Sequence, residues 1–380
     1  MASLPEMNKA KDNLNLTDNK INVHFAAIDT ILEDNIIRNV QKEVRGQEII
    51  QYGERNLYPQ YLYLLFQDVS LLKSIINGIT EFVGGENVSI KLGQFQEKIN
   101  KNDTVEDLVR QMALSYCLYG GIALNVLRNR IGEVAEVYCL DFKNVRSNKK
   151  NTKFYYSEEW AKKSTGRAVT TVYPAFNPND KNQLSSIFYF KNDNYNTYPE
   201  PIWGGAALDA EILKHIGEYN LNSLYNGLSA GYVVNFNANT PTDEEKQEIS
   251  DNFDEKFVGF NNAQRVLLSF NPDFQHRTTV EAIPENNLTD RYNTIYQTSI
   301  KNIFTAFRVH PALFGLPTDN SGFNTQDINE AFKVANTMVV LPIQKIIKRI
   351  FETIFQEKDV ITITPLTIDW SDKETTEIVK

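Results

Sequence analysis

The sequence predicts an α+β fold, and three observations carry that expectation. Two long segments, Leu62 to Val83 and Tyr292 to Ile350, place apolar residues at steps of three and four, as amphipathic helices do. Short segments alternate apolar and polar residues, as half-buried strands do, among them Ile122–Val126 and the run VITITPLTIDW at 360–370. The pairs Gly84-Gly85, Gly120-Gly121 and Gly204-Gly205 punctuate these elements and lack the strand–turn–helix frame of a phosphate-binding α/β unit.

In chain order, residues 1–20 are polar and read as a flexible tail, with Ile21–Phe25 a short strand. Leu62, Leu65, Phe66, Val69, Leu72, Ile76, Ile79 and Val83 form one broad stripe and predict a single helix of about 25 residues, closed by Gly84-Gly85. A second helix starts at Asp103 or Thr104, either of which suits an N-cap, and turns Leu108, Met112 and Cys117 toward the core. Ile122, Leu124 and Val126, then Val134, Val137 and Cys139 after a one-residue slip, predict a β-hairpin turning at Gly132. KFYYSEEW, AVTTVYPAF and SSIFYFKN predict short strands between 147 and 200. Pro201, Trp203, Gly204 and Gly205 mark a loop, after which Leu208, Ile212, Ile216 and Tyr219 mark a helix closing at Asn226-Gly227. Thr240-Pro241 starts a charged helix with Ile249, Phe253 and Phe257 as its narrow apolar stripe, and AQRVLLSF is a strand.

The segment from Thr289 to Phe355 organises the rest. Tyr292, Tyr296, Ile300, Ile303 and Phe307 form one helical face. That helix stops around Val309-His310-Pro311, because a residue before proline is pushed out of the α region. Leu316 to Gln326 is a polar loop of residues that tolerate turns, and a helix restarts with Asn324 or Thr325 as its cap. Its face is expected to run Ile328, Phe332, Ala335, Val339, Pro342, Ile346 and Ile350, kinked by the interior Pro342. Lys333, Lys345, Lys348 and Arg349 lie on its polar side.

Composition bounds the function. The 380 residues suffice for two or three domains, and 42% hydrophobic with 23% charged residues reads as globular and soluble. The sequence holds no run of 18 apolar residues, so no membrane span is expected, and Met1 to Lys20 has no apolar core of a signal peptide. Net charge of −9 argues against a tight, charge-driven grip on nucleic acid, though not against a channel that passes it. Cys117 and Cys139 sit in apolar runs and read as buried thiols of a reducing compartment. His24, His215, His276 and His310 show no metal-ligand spacing, so neither metal nor cofactor is expected. No GxxxxGK[ST] or GxSxG occurs. Asp243-Glu244-Glu245 complements a helix dipole more simply than it forms an acid/base pair. The 18 Tyr, 22 Phe and 3 Trp lack interleaved basic residues and suit core or subunit packing better than base stacking.

Order and spacing carry a resemblance. FRVHPALFGL, a polar loop, and NTQDINEAFKVANTMVVLP together resemble the C-terminal half of HK97-like portal proteins of tailed bacteriophages. Val309, Pro311, Leu313, Gly315 and Pro342 occupy the motif positions, while His310 and Ala312 depart from the usual small-Pro-Pro run. The stretch YGGIALNVLRNRIGEVAEVYCLDFKNVR resembles the family's wing, and the stretch from Gly204 to Phe236 its first stem helix and following strand.

Across roughly residues 50 to 370 the resemblance implies a tail (1–20), an α/β wing (21–204), a first stem helix and strand (205–234) and a small α/β clip (235–288). It then implies a second stem helix (289–310), a tunnel-loop region (311–325), a kinked helix (326–356), and a last wing strand and tail (357–380) with little or no crown. Thr318, Asp319, Asn320, Ser321, Gly322, Asn324 and Thr325 would form a DNA-channel loop. The lysines of the kinked helix would face either DNA or a neighbouring subunit.

The implied role is structural, not enzymatic: a homododecameric ring at the capsid vertex, assembled in the host bacterial cytoplasm and carried in the virion. The ring would pass dsDNA non-specifically in packaging and ejection. Its implied partners are the terminase large subunit, head-completion or adaptor proteins, and the major capsid and scaffold proteins. The competing readings are another neck or adaptor ring, and an α/β enzyme with a carboxylate site.

Overall fold

The computed structural model describes residues 37–43, 48–160, 170–225, 232–236, 242, 266–270, 288–316 and 325–367. The expected tail at 1–20, the strand Ile21–Phe25 and the helix begun by Thr240-Pro241 lie outside them. Helix and sheet are mixed, as the patterns predict. No single helix among the described residues is long and apolar enough to cross a membrane.

The first helical stripe is not one helix. It divides into α1 (Tyr58–Asp68) and α2 (Ser70–Gly84), which meet at 99°. Val69 at the corner is extended (φ −100, ψ 103) and buried. β-branched valine, flanked by Asp68 and Ser70, makes this the weakest helical step in the stripe. The bend lets Leu62, Leu65 and Phe66 cover one side of the core while Leu72, Ile75, Ile76, Ile79 and Val83 cover another, all buried.

Gly85 (φ 68) ends α2 against the Thr364 carbonyl, an approach that a Cβ would block. Next to it β3 (Asn87–Ile90) pairs antiparallel with a strand from the far end of the sequence, Ile361–Thr364.

α3 (Val105–Tyr119) opens with a capping box: Thr104 Oγ1 accepts from Asp107 N at 3.1 Å, and Asp107 Oδ2 accepts from Thr104 N at 2.9 Å. It ends at left-handed Gly120 (φ 76). β4 (Gly121–Arg128) then lies between β5 (Val134–Cys139) and β9 (Ser185–Lys191), antiparallel to both. The one-residue slip is a register shift between Leu127 and Arg128, and Gly132 (φ 87) occupies the turn. A second sheet joins β6 (Val145–Ser147), β7 (Lys153–Tyr156) and β8 (Thr171–Pro174). The other paired strands are β1 (Lys42–Glu43) with β2 (Ile50–Gln51), and β10 (Tyr232–Phe236) parallel to β11 (Val266–Phe270).

Between the sheets, Tyr52 stacks on Tyr198 with ring centres 4.2 Å apart, and burial raises the pKa of both hydroxyls. The Arg146 guanidinium is buried beside them. Cys117 and Cys139 are free, and burial pushes both thiols up to about 12, so they stay protonated at neutral pH.

α4 (Ala207–Tyr225) pairs with α5 (Leu288–Phe307). The apolar face expected on α4 is only partly covered: Leu208 and Tyr219 are each 56% exposed, and the buried positions are Ala210 and Glu211. On α5, Ile303, Phe304 and Phe307 are buried, whereas Tyr292, Ile295 and Tyr296 are 41–44% exposed. The periodicity thus marks a continuous stripe of which this chain's core covers one half. Tyr219 and Tyr292 stack at 5.6 Å and bridge the two helices beyond that core.

Candidate functional site: the turn and the broken helix

α5 ends two residues sooner than a pre-proline stop requires. Arg308 is left-handed (φ 59), and Val309 N donates to Phe304 O at 3.2 Å and Arg308 N to Thr305 O at 3.1 Å. These are the paired bonds of a Schellman motif, which satisfies orphan carbonyls at the helix end. His310 is extended, as a residue before proline should be. Its Nδ1 accepts the Ala312 N–H at 3.3 Å, and it caps a single 3₁₀ turn, Pro311–Phe314. Histidine at the departed motif position therefore has a local task, a side-chain cap, that its residue type alone did not signal. Gly315 closes the turn in the left-handed region (φ 76). Val309 and Ala312 are buried; Pro311, Leu313 and Phe314 are half-buried; Gly315 is exposed.

Beyond the turn, Thr318, Asp319, Asn320, Ser321, Gly322 and Asn324 lie outside the described residues. Thr325 opens α6 (Thr325–Ala335), and of its side chain nothing is described. Beside the turn, Leu213, Lys214, Tyr296, Ile300, Phe314 and Leu316 line an open groove of about 600 Å³ at the α1–α2 elbow.

The last helix runs as α6, a π segment (Asn336–Val340) and α7 (Leu341–Phe355). Pro342 stands in the first turn of α7. In α register the carbonyl four residues before a proline has no donor, whereas in π register it faces the residue after the proline. A π turn also takes up one extra residue and advances the buried row. That row runs Phe332, Ala335, Val339, Ile343, Ile347 and Ile350, all buried. The expected face through Pro342 and Ile346 is corrected: Pro342 is exposed and Ile346 half-buried.

Lys333, Lys345 and Arg349 are exposed and Lys348 half-buried. The Arg349 guanidinium lies 5.8 Å from the Phe190 ring centre, so it is engaged with β9 of its own chain. Among the described residues no group of three His, Cys, Asp or Glu side chains could hold a metal ion. Among the described residues, a carboxylate cluster that sequence spacing missed lies on α4. Buried Glu211 accepts from Tyr61 Oη at 3.1 Å, and His215 sits between Glu211 (3.2 Å) and Glu218 (2.9 Å). Every member of this cluster is engaged with another, which makes it a clasp between α1 and α4. Asp243, Glu244 and Glu245 lie outside the described residues.

Known proteins place this architecture. A chain in the virion of a native gene transfer agent particle superposes with TM-score 0.52 at 15% identity, over 81% of this chain and 84% of that one. A chain in the neck of the native particle, computed with C12 symmetry, gives TM-score 0.51 at 15% identity over the same shares. An HK97 family phage portal protein from Corynebacterium diphtheriae gives TM-score 0.47 at 10% identity, over 79% of this chain and 93% of that one. No curated protein sequence matches. The sequence model of the family described as phage portal protein matches residues 91–356, well over half of the chain and including the turn and the broken helix. The chain belongs to the phage portal protein family.

Proposed function

We propose that this chain is one subunit of a closed ring at a capsid vertex, through which dsDNA passes in packaging and ejection. The observation that carries the ring is the uncovered apolar surface of the α4–α5 pair. Tyr219, Leu221, Tyr292, Ile295 and Tyr296 are each 41–56% exposed on two helices that reach beyond their own core. Apolar helix faces of this size are ordinarily covered by a partner, and copies of one chain related by rotation cover each other when the ring closes. The C12 symmetry of the gene transfer agent neck supports twelve copies.

In this reading residues 21–204 with 357–380 form the wing, α4 and α5 the stem, 235–288 the clip, and 311–325 the tunnel-loop region, within the virion. Thr318 to Thr325 offer small polar groups that touch DNA without arresting it, since strong phosphate neutralisation would hold rather than pass it. The π segment and Pro342 let the last helix bend. The work is mechanical: ATP is hydrolysed by the terminase large subunit docked on the ring, and adaptor, capsid and scaffold proteins are further partners. Lys333 and Lys345 face either the channel or the next subunit.

Deleting Asn320 to Phe323 tests the channel loop. Rings of normal size are expected, with the yield of DNA-filled heads sharply reduced. Normal yields of DNA-filled heads from the deletion would remove the loop assignment while leaving the ring untouched.

A further inference from the structure

We propose that α2 is the rail that positions both flanks of the 317–324 segment, through Gly78 and Phe82. Gly78 lies inside a 15-residue helix, where glycine is less favourable than alanine by about 1 kcal/mol. The space explains its presence. A Cβ on Gly78 would come within 2.5 Å of Cε1 of Phe314, so only glycine lets that ring settle on the helix. Phe314 is the last residue of the 3₁₀ turn, three residues before the segment begins, and its ring also packs 5.9 Å from that of Phe304.

The other flank returns to the same face. Phe332 on α6 meets Phe82 edge-on, with ring centres 5.4 Å apart at 78°. Gly78 and Phe82 are four residues apart, which stacks them on one side of α2. Further along the broken helix, buried Gln344 donates from Nε2 to Val83 O at 3.0 Å. Phe314 before the segment, and Phe332 and Gln344 on the returning chain, are thus fixed to the last two turns of one helix. α2 itself is held at the Val69 elbow and at Gly85 against the strand Ile361–Thr364. The two contact points lie four residues apart on α2, about 6 Å of rise. Gly78 is a positioning residue that acts through Phe314: any larger side chain there displaces that ring and shifts one flank against the other.

The consequence for DNA passage rests on reading the segment as the channel loop, and the test separates the two ideas. Spin labels are placed at Glu97→Cys and Ser321→Cys in a Cys139→Ser background, in chains diluted with unlabelled protein. Pulsed electron-spin measurement then gives the intrachain distance from a fixed wing site to the segment. Gly78→Leu is expected to shift or widen that distance distribution. Phe332→Ala, which adds no atoms and serves if Gly78→Leu fails to fold, is expected to widen it. Phe314→Ala combined with Gly78→Leu is expected to give the distribution of Phe314→Ala alone, because the displaced ring is gone. Unchanged distributions in Gly78→Leu and Phe332→Ala would overturn the rail, whatever the heads contain. Shifted distributions with normal DNA-filled heads would uphold the rail and count against the channel-loop reading instead.

Discussion

Arg146→Ala is expected to lower the unfolding free energy by about 3–5 kcal/mol, because several buried neutral acceptors lose their donor at about 1–3 kcal/mol for each one left unsatisfied. Arg146 has 0% exposure and no carboxylate among its hydrogen-bond acceptors. Nε donates to Asn56 Oδ1 at 2.6 Å, Nη1 to the Lys143 and Val145 carbonyls at 2.8 Å each, and Nη2 to Asn56 O at 2.6 Å and Gln60 Oε1 at 3.0 Å. Trp160 and Tyr52 flank the guanidinium, 4.9 and 5.7 Å from their ring centres.

Burial draws the Arg146 pKa down to about 10, and the group remains charged at neutral pH. Five donors in a planar fork thus hold three segments together: the left-handed turn at Arg55 and Asn56, the start of α1, and the strand β6. Alanine leaves several carbonyls dry and a void between Trp160 and Tyr52. Arg146→Lys cannot reach both sides of the fork and is expected to lose more than half as much. Chemical unfolding midpoints at fixed protein concentration check both values. A loss below about 1 kcal/mol for Arg146→Ala would mean that water replaces the guanidinium, contrary to the buried network described.

Trp203→Ala is expected to cost a comparable amount, about 3–5 kcal/mol, by the cavity it leaves. Trp203 is fully buried and stacks on Phe307, the last residue of α5, at 6.3 Å and 20°. Its indole Nε1 donates to Cys117 O at 3.0 Å. Cys117 lies in the last turn of α3, where carbonyls have no intrahelical donor. The indole supplies that donor. Trp203→Phe should keep most of the packing and lose about 1–3 kcal/mol for the carbonyl left unsatisfied. Trp203 precedes α4 and touches α5, so hydrogen exchange in both helices should quicken more than in β4 and β9. Uniform quickening across the chain would show that Trp203 supports the whole core rather than the root of the helix pair.

Much of this was legible in the residues. A cap at Asp103 or Thr104, Gly132 with its flanking alternation, and the strand within 360–370 are local chemistries, and local chemistry is what a sequence displays; the box that Asp107 closes with Thr104 was not read. The break at Val69 was not, because an apolar stripe looks the same whether the helix continues or bends around a core. The π segment was hidden for a similar reason: counting by threes and fours assumes a fixed pitch, and one inserted residue moves the face from Pro342 and Ile346 to Ile343 and Ile347. Arg146 carried no signal, since its partners are backbone carbonyls and two amides far apart in sequence. Gly78 read as an ordinary weak point of a helix until Phe314 was found against it. On α4 and α5 the stripes were read correctly as apolar faces, yet the sequence could not show that half of each lies beyond the chain's own core.

That uncovered half leads to the most direct test of the ring. Electron micrographs of the purified protein in negative stain, with native mass on the same sample, should show end-on particles with a central hole. Their mass should be a whole multiple of 43.5 kDa. A dispersed 43.5 kDa monomer at every concentration, unchanged when capsid and scaffold proteins are supplied, would contradict it. The exposed tyrosines and leucines of α4 and α5, with Ile295, would then need a different partner.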